Sequence, residues 1–331
     1  MLSNNPNYNC SNVMYSKIGL FSLLVAFFLI NVSSTLLADK PDFSVVTLKG
    51  DNQVKRVDGA NWEKLKAGDK LFSDDQIKLA DGAYLALLHT TGAPIEVSKS
   101  GNYTVKKLAS QASTHKSDVT KKFTKYLVDE LKSSDDVLSS GDYRKKMKNL
   151  GAVERSIESA NTNSITAMMP LNSYSIDNTM SFNWNDNKLS DKYNLIIKNS
   201  DSKVIYENNT NENNLNVDLS SLNMDKDECY FWYVTSGENK SEEYCLFNIN
   251  EEEVNSINTD LKTIEDEIGS DNSALASLVK ANYLADKNIN YKADQEFANA
   301  ISITNNDNYK VVYAKFLLKM GMNDKAEALL K

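Results

Sequence analysis

Cysteine, histidine and paired carboxylates are the side chains on which this chain could build chemistry. The 331 residues include three cysteines and two histidines, too few soft ligands for a zinc, haem or iron–sulfur centre. His89 ends a β run and His115 stands at the approach to a helix, neither beside a Ser–Asp or Cys partner that would make it a general base. Both are read as satisfied turn or surface histidines. Asp74-Asp75, Asp135-Asp136 and the acids at 251–253 are adjacent in sequence, whereas glycoside hydrolysis needs two carboxyls held a set distance apart across a cleft. The Asn/Asp stretch at 183–187 lacks the spacing of a calcium loop, and neither a P-loop nor a G-x-G-x-x-G run occurs. The expectation is no catalytic residue, no cofactor and no metal.

Cys229 and Cys245 carry a structural reading. They bracket ECYFWYVTSGENKSEEYC, two aromatic-rich β runs around a turn near Gly237, so a hairpin would bring them across from each other as a disulfide. Two buried free thiols are the alternative. Oxidation fits the compartment implied by residues 18–32, IGLFSLLVAFFLINV, an apolar run that follows Lys17 and leads to Leu37-Ala38-Asp39. Residues 1–38 therefore read as a signal peptide cut after Ala38 or, uncleaved, as a signal anchor over 18–37, with translation starting at Met1 or Met14. Cys10 precedes the run and lacks a lipidation context. With 37 Lys+Arg against 45 Asp+Glu the net charge is −8, which argues against nucleic acid as a partner.

The elements behind the leader follow from periodicity. Short β runs separated by Gly/Asp turns fill 42–108, with Ile77, Leu79, Leu85 and Leu87 as inward residues and YTVKKL as the last run. Leu48-Lys49-Gly50, Trp62, Leu65, Gly68-Asp69, Leu71, Asp75 with Ile77, Asp81-Gly82 and the stretch 92–103 resemble a FecR-type domain. That resemblance implies periplasmic sensing and regulation of a sigma-factor partner.

Residues 109–164 form a helical connector in which Val119, Phe123, Leu127 and Leu131 recur every fourth residue. Its basic stretch at 116–148 reads as a solvated helix face, the alternative being contact with an acidic envelope polymer or a membrane surface. Over 165–250 alternating strands return, and the order of Trp184, the Tyr193 strand, the Tyr-x-Trp-x-Val strand and Phe247 resembles an immunoglobulin- or fibronectin-type β-sandwich glued by its aromatics.

Residues 251–331 are helical. A first helix runs through Val254, Ile257, Leu261, Ile264 and Ile268 to a stop at Gly269. Ala281, Leu284 and Ala293 then recur as Ala314, Leu317 and Ala326 at an offset of about 33 residues, which resembles tetratricopeptide repeats, with Asn305 in place of the terminating proline. Two repeats are short of an independent solenoid, so the preceding helix or a partner should cover the open ends. The resemblance implies a groove that presents the first helix of each repeat to a protein, with Asn282, Asp286, Lys315 and Lys319 as candidate partner-binding residues.

The fold class expected is thus multidomain α+β: a FecR-like β domain, a helical connector, a β-sandwich and helical hairpin repeats. The function expected is a non-enzymatic, exported scaffold or adaptor of the bacterial periplasm or cell envelope that binds proteins. The alternatives are a polysaccharide- or peptidoglycan-binding module using exposed aromatics such as Trp62, and a FecR-like transmembrane signalling regulator. A membrane contact is expected only if the N-terminal segment is retained.

Overall fold

Four sheets and seven α-helices make up the computed structural model among its described residues, which are 40–112, 116–139 (without the side chains of 132–139), 165–185, 192–226, 228–269 and 272–331. The expected leader, Cys10, His115 and connector residues 140–164 lie outside them. No helix among the described residues is long and apolar enough to cross a membrane.

The first module pairs two antiparallel sheets. One has the order β4 (Lys70–Leu71), β1 (Phe43–Lys49), β6 (Tyr84–His89), β7 (Pro94–Val97); the other has β3 (Glu63–Lys64), β2 (Asn52–Lys55), β5 (Gln76–Leu79), β8 (Gly101–Thr104). Phe43, Val45, Ile77, Leu85 and Leu87 fill the space between them. Gly50 turns β1 into β2 at φ 77°, where a Cβ would meet Ala83 at 3.0 Å, so both the conformation and the space require glycine.

The run expected as a strand through Leu108 instead ends at Thr104, and Val105–Gln111 is helix α1. A strand would put Val105 and Lys107 on one face. The helix puts Val105 beside Leu108, both buried, and leaves the two lysines between them exposed. The module is therefore not all-β.

Strand β1 carries a bulge: Val45 faces Leu87 but Thr47 faces Ala86, leaving Val46 unmatched. The extra residue reverses the alternation, so Phe43 and Val45 enter the module's own core while Thr47 and Lys49 join Tyr84 and Ala86 on the opposite face. Tyr84, Leu85, Ala86 and Leu87 are all buried, the mark of a strand covered on both sides.

The second module sets a sheet of order β14 (Asn214–Asp218), β11 (Thr179–Asn185), β9 (Thr166–Met169) against a larger one of order β10 (Ser173–Ser175), β17 (Tyr244–Asn248), β15 (Cys229–Ser236), β12 (Tyr193–Lys198), β13 (Val204–Thr210), with β16 (Asn239–Lys240) on β15. All pairs are antiparallel except β10 with β17. Trp232 is fully buried between the sheets, edge-on to Phe182, and its indole N–H donates to the Pro170 carbonyl at 2.7 Å.

The sulfurs of Cys229 and Cys245 lie at bonding distance, with Cα atoms 5.5 Å apart. They are not directly opposed as expected. Cys229 faces Phe247 and Cys245 faces Phe231, so the link runs diagonally on one face of the β15/β17 ladder.

The helical region comprises α2 (Asp118–Ser139), α3 (Glu251–Ile268), α4 (Ala274–Asp286), α5 (Asn290–Thr304), α6 (Asp307–Lys319) and α7 (Asn323–Leu330). Ala281, Leu284, Ala293, Ala314, Leu317 and Ala326 are all fully buried where α4 packs on α5 and α6 on α7. Asn250, Ser273 and Asn306 cap α3, α4 and α6 by accepting hydrogen bonds from first-turn N–H groups. Asn305 ends α5 in the left-handed conformation that asparagine tolerates, and Asn306 can then begin α6 at once. Helix α4 is buried on nearly every side, so it lies inside the fold.

The modules do not stand in series. Residues 41–331 form a single unit, and one core runs from Tyr84 and Ala86 through the sandwich interior to the paired helices. Thr47, Asn306 and Asn308 bond to one another between β1 and α6, and Lys49 Nζ donates to the Thr304 carbonyl at the end of α5. Glu96 of β7 accepts from Ser273 Oγ and the Leu275 N–H at the start of α4. On the other side Asn290 Nδ2 donates to the Asn172 carbonyl, the Tyr291 N–H to Ser173 Oγ, and Lys292 pairs with Asp177.

Candidate functional site

The groove that the repeat resemblance implies, along the first helices α4 and α6, is occupied by helix α2, which also packs on α3 and on β1. Phe123, Leu127 and Leu131 of α2 are buried on the shared core, and Phe123 meets Tyr283 of α4 edge-to-face at 5.4 Å. Charges flank this apolar row: Lys122 Nζ is 3.1 Å from Asp286, and Lys315 Nζ is 2.7 Å from Glu130.

The start of α2 is tied to the end of α3. The Ser117 N–H and Oγ donate to the Glu267 carboxylate, and Lys116 Nζ donates to the Glu267 carbonyl. Burial alone would raise the Glu267 pKa, but hydrogen bonds from Thr120 and Ser117 and the charge of Lys116 together lower it. Within the groove wall Tyr283 donates to Asp260 at 2.7 Å, and burial followed by that carboxylate pushes its phenol well above the ordinary range.

Of the residues expected to face a partner, Asp286 and Lys315 hold α2 from either side. Asn282 is only 8% exposed and donates to the Leu278 carbonyl of its own helix, so it does not project into a groove. Lys319 is exposed at the end of α6. The stripe on α2 announces burial in the sequence, but not against which surface.

Sequence reasoning also missed the joints. Tyr84 and Tyr309 place their hydroxyl oxygens 2.7 Å apart in full burial between β6 and α6. Burial first, then the neighbouring hydroxyl and Glu96, raise the Tyr84 pKa; burial dominates at Tyr309. Both stay neutral and serve as hydrogen-bonding packing. Among the described carboxylates, Asp75 binds Arg56 and the Phe72 N–H, and Asp294 accepts from Tyr313 and Lys325. These are structural roles. His89 bonds to Thr91 and meets the edge of Phe43, as a satisfied turn histidine would.

The aromatic surfaces divide. Phe182, Trp184, Tyr193 and Trp232 are buried between the sandwich sheets. Phe231 and Tyr233 are half-buried on the outer face of the larger sheet, with Lys198 Nζ 5.4 Å and Lys240 Nζ 4.0 Å from the Tyr233 ring centre and both ammoniums on Glu243. Trp62 is 37% exposed, on a loop shared with exposed Val57. No group of three or more potential metal ligands occurs among the described residues. No protein-family model matches the chain, and no characterised protein matches it by sequence.

Proposed function

We propose that this chain is an exported, non-catalytic scaffold or adaptor of the bacterial cell envelope that binds other proteins, built from a FecR-like module, an immunoglobulin-like sandwich and tetratricopeptide-like helices. The observation that carries this reading is the groove of α3, α4 and α6, which holds an amphipathic helix by a row of apolar anchors with an ion pair on either side. Recognition of a helix in a groove is a common mode of protein association. The cysteines at bonding distance suit an oxidising compartment, and the buried joints to both β modules suit a body that holds two surfaces in fixed relation.

A photocrosslinker replacing Lys319, introduced in cells, tests it. The expected result is an adduct with an envelope protein, mapped to one defined segment of that partner. Exposed Trp62 and Val57 favour a second reading, binding of a cell-wall polysaccharide. Absence of protein adducts, together with wall binding that Trp62→Ala abolishes, would overturn the scaffold in its favour.

A further inference from the structure

We infer that α2 is a displaceable occupant of its groove, and that the helix replacing it from a partner carries an apolar residue where α2 has Thr124. The inference rests on the adaptor reading and adds what the partner must look like and how the groove is regulated.

Helix α2 engages the groove as a ligand would. It lies more than a hundred residues before α3 in the chain, offers one face, and is held by Phe123, Leu127 and Leu131 with a charge pair on each side. That face has a flaw. Thr124 is 2% exposed, and its hydroxyl has no hydrogen-bond partner among the described residues. Burying a hydroxyl without a partner loses its hydration and gains nothing in return. Thr120, one turn earlier, is equally buried but is bonded to Ser117 and serves the N-terminal anchor. The defect is thus confined to the middle of the interface, and a helix with valine at that position keeps every anchor while removing the penalty.

The groove selects such a helix by its pattern. Three large apolar residues recur at every fourth position. A base directly precedes the first, to meet Asp286, and an acid follows the second by three, to meet Lys315. Because a cis helix acts at high effective concentration, a partner competes only if it binds more tightly than α2 or if α2 is loosened.

Native-state hydrogen exchange on the full chain tests displaceability. Amides at 120–131 should exchange through an opening that leaves α4 and α6 protected, and Thr124→Val should slow that opening about tenfold. Labelled peptides of residues 116–135 test exchange in trans against a Leu127→Ala chain, with Lys122→Glu in the full chain as a second variant that leaves the apolar core intact. The Thr124→Val peptide should bind about tenfold more tightly than the unaltered one, and a peptide with Lys122→Glu and Glu130→Lys should bind more weakly than both. Exchange of α2 only together with α4 and α6, or equal behaviour of all three peptides, would overturn the inference. If peptides fail while Lys319 still captures a defined partner, the adaptor reading survives and this one does not.

Discussion

Tyr84 and Tyr309 illustrate how single side chains join the modules. Each ring adds apolar area to the shared core, and each hydroxyl finds its partner across the joint. Tyr84→Phe should cost about 1–3 kcal/mol because the Tyr309 hydroxyl loses its partner in full burial. Replacing both tyrosines should cost less than the two single changes added together, by roughly 0.5 kcal/mol or more. Denaturant titration of the four proteins completes the cycle, and strictly additive losses would mean that the hydroxyls do not interact. Asn306 works in the same way, capping α6 with its Oδ1 while its Nδ2 reaches Thr47 and the Leu48 carbonyl.

At the level of elements, the docking of α2 depends on a charge supplied by α3. Because the Glu267 pKa is lowered in the folded state, its contribution is fully present above the ordinary glutamate value of about 4.3 and is lost as pH falls through the folded value. Glu267→Gln should lower stability by about 1 kcal/mol at neutral pH, the usual worth of a helix-start interaction. The gap should close in acid. Thermal midpoints of both proteins from pH 7 to pH 3 provide the check, and a gap that stays constant would remove the carboxylate charge from the account. The bulge in β1 is a second element-level device, since one unmatched residue turns Thr47 and Lys49 toward the helices.

At the scale of the whole molecule, one continuous apolar core joins the helices to both β modules within residues 41–331. The helices bury apolar side chains against both β modules, so neither module can open without exposing that surface. Calorimetry of the chain should give a single transition whose calorimetric and van't Hoff enthalpies agree. Two resolved peaks would mean that the β modules unfold independently and that the joints contribute little.

Much of the local structure was legible from residue order, because backbone periodicity and turn chemistry act over a few residues. Leu85 and Leu87 as inward strand positions, the stripe of Phe123, Leu127 and Leu131, the stop at Gly269 and the recurring alanines of the hairpins all follow from that short range. YTVKKL misled because burial of Leu108 favoured a helical turn over continued alternation. Tertiary packing alone decided that Tyr84 and Ala86 are covered as well as Leu85 and Leu87, that Asn282 is buried, and that the groove holds α2. A helical stripe declares that it must be buried, but its partner lies more than a hundred residues away along the chain, and only the folded arrangement brings the two surfaces together.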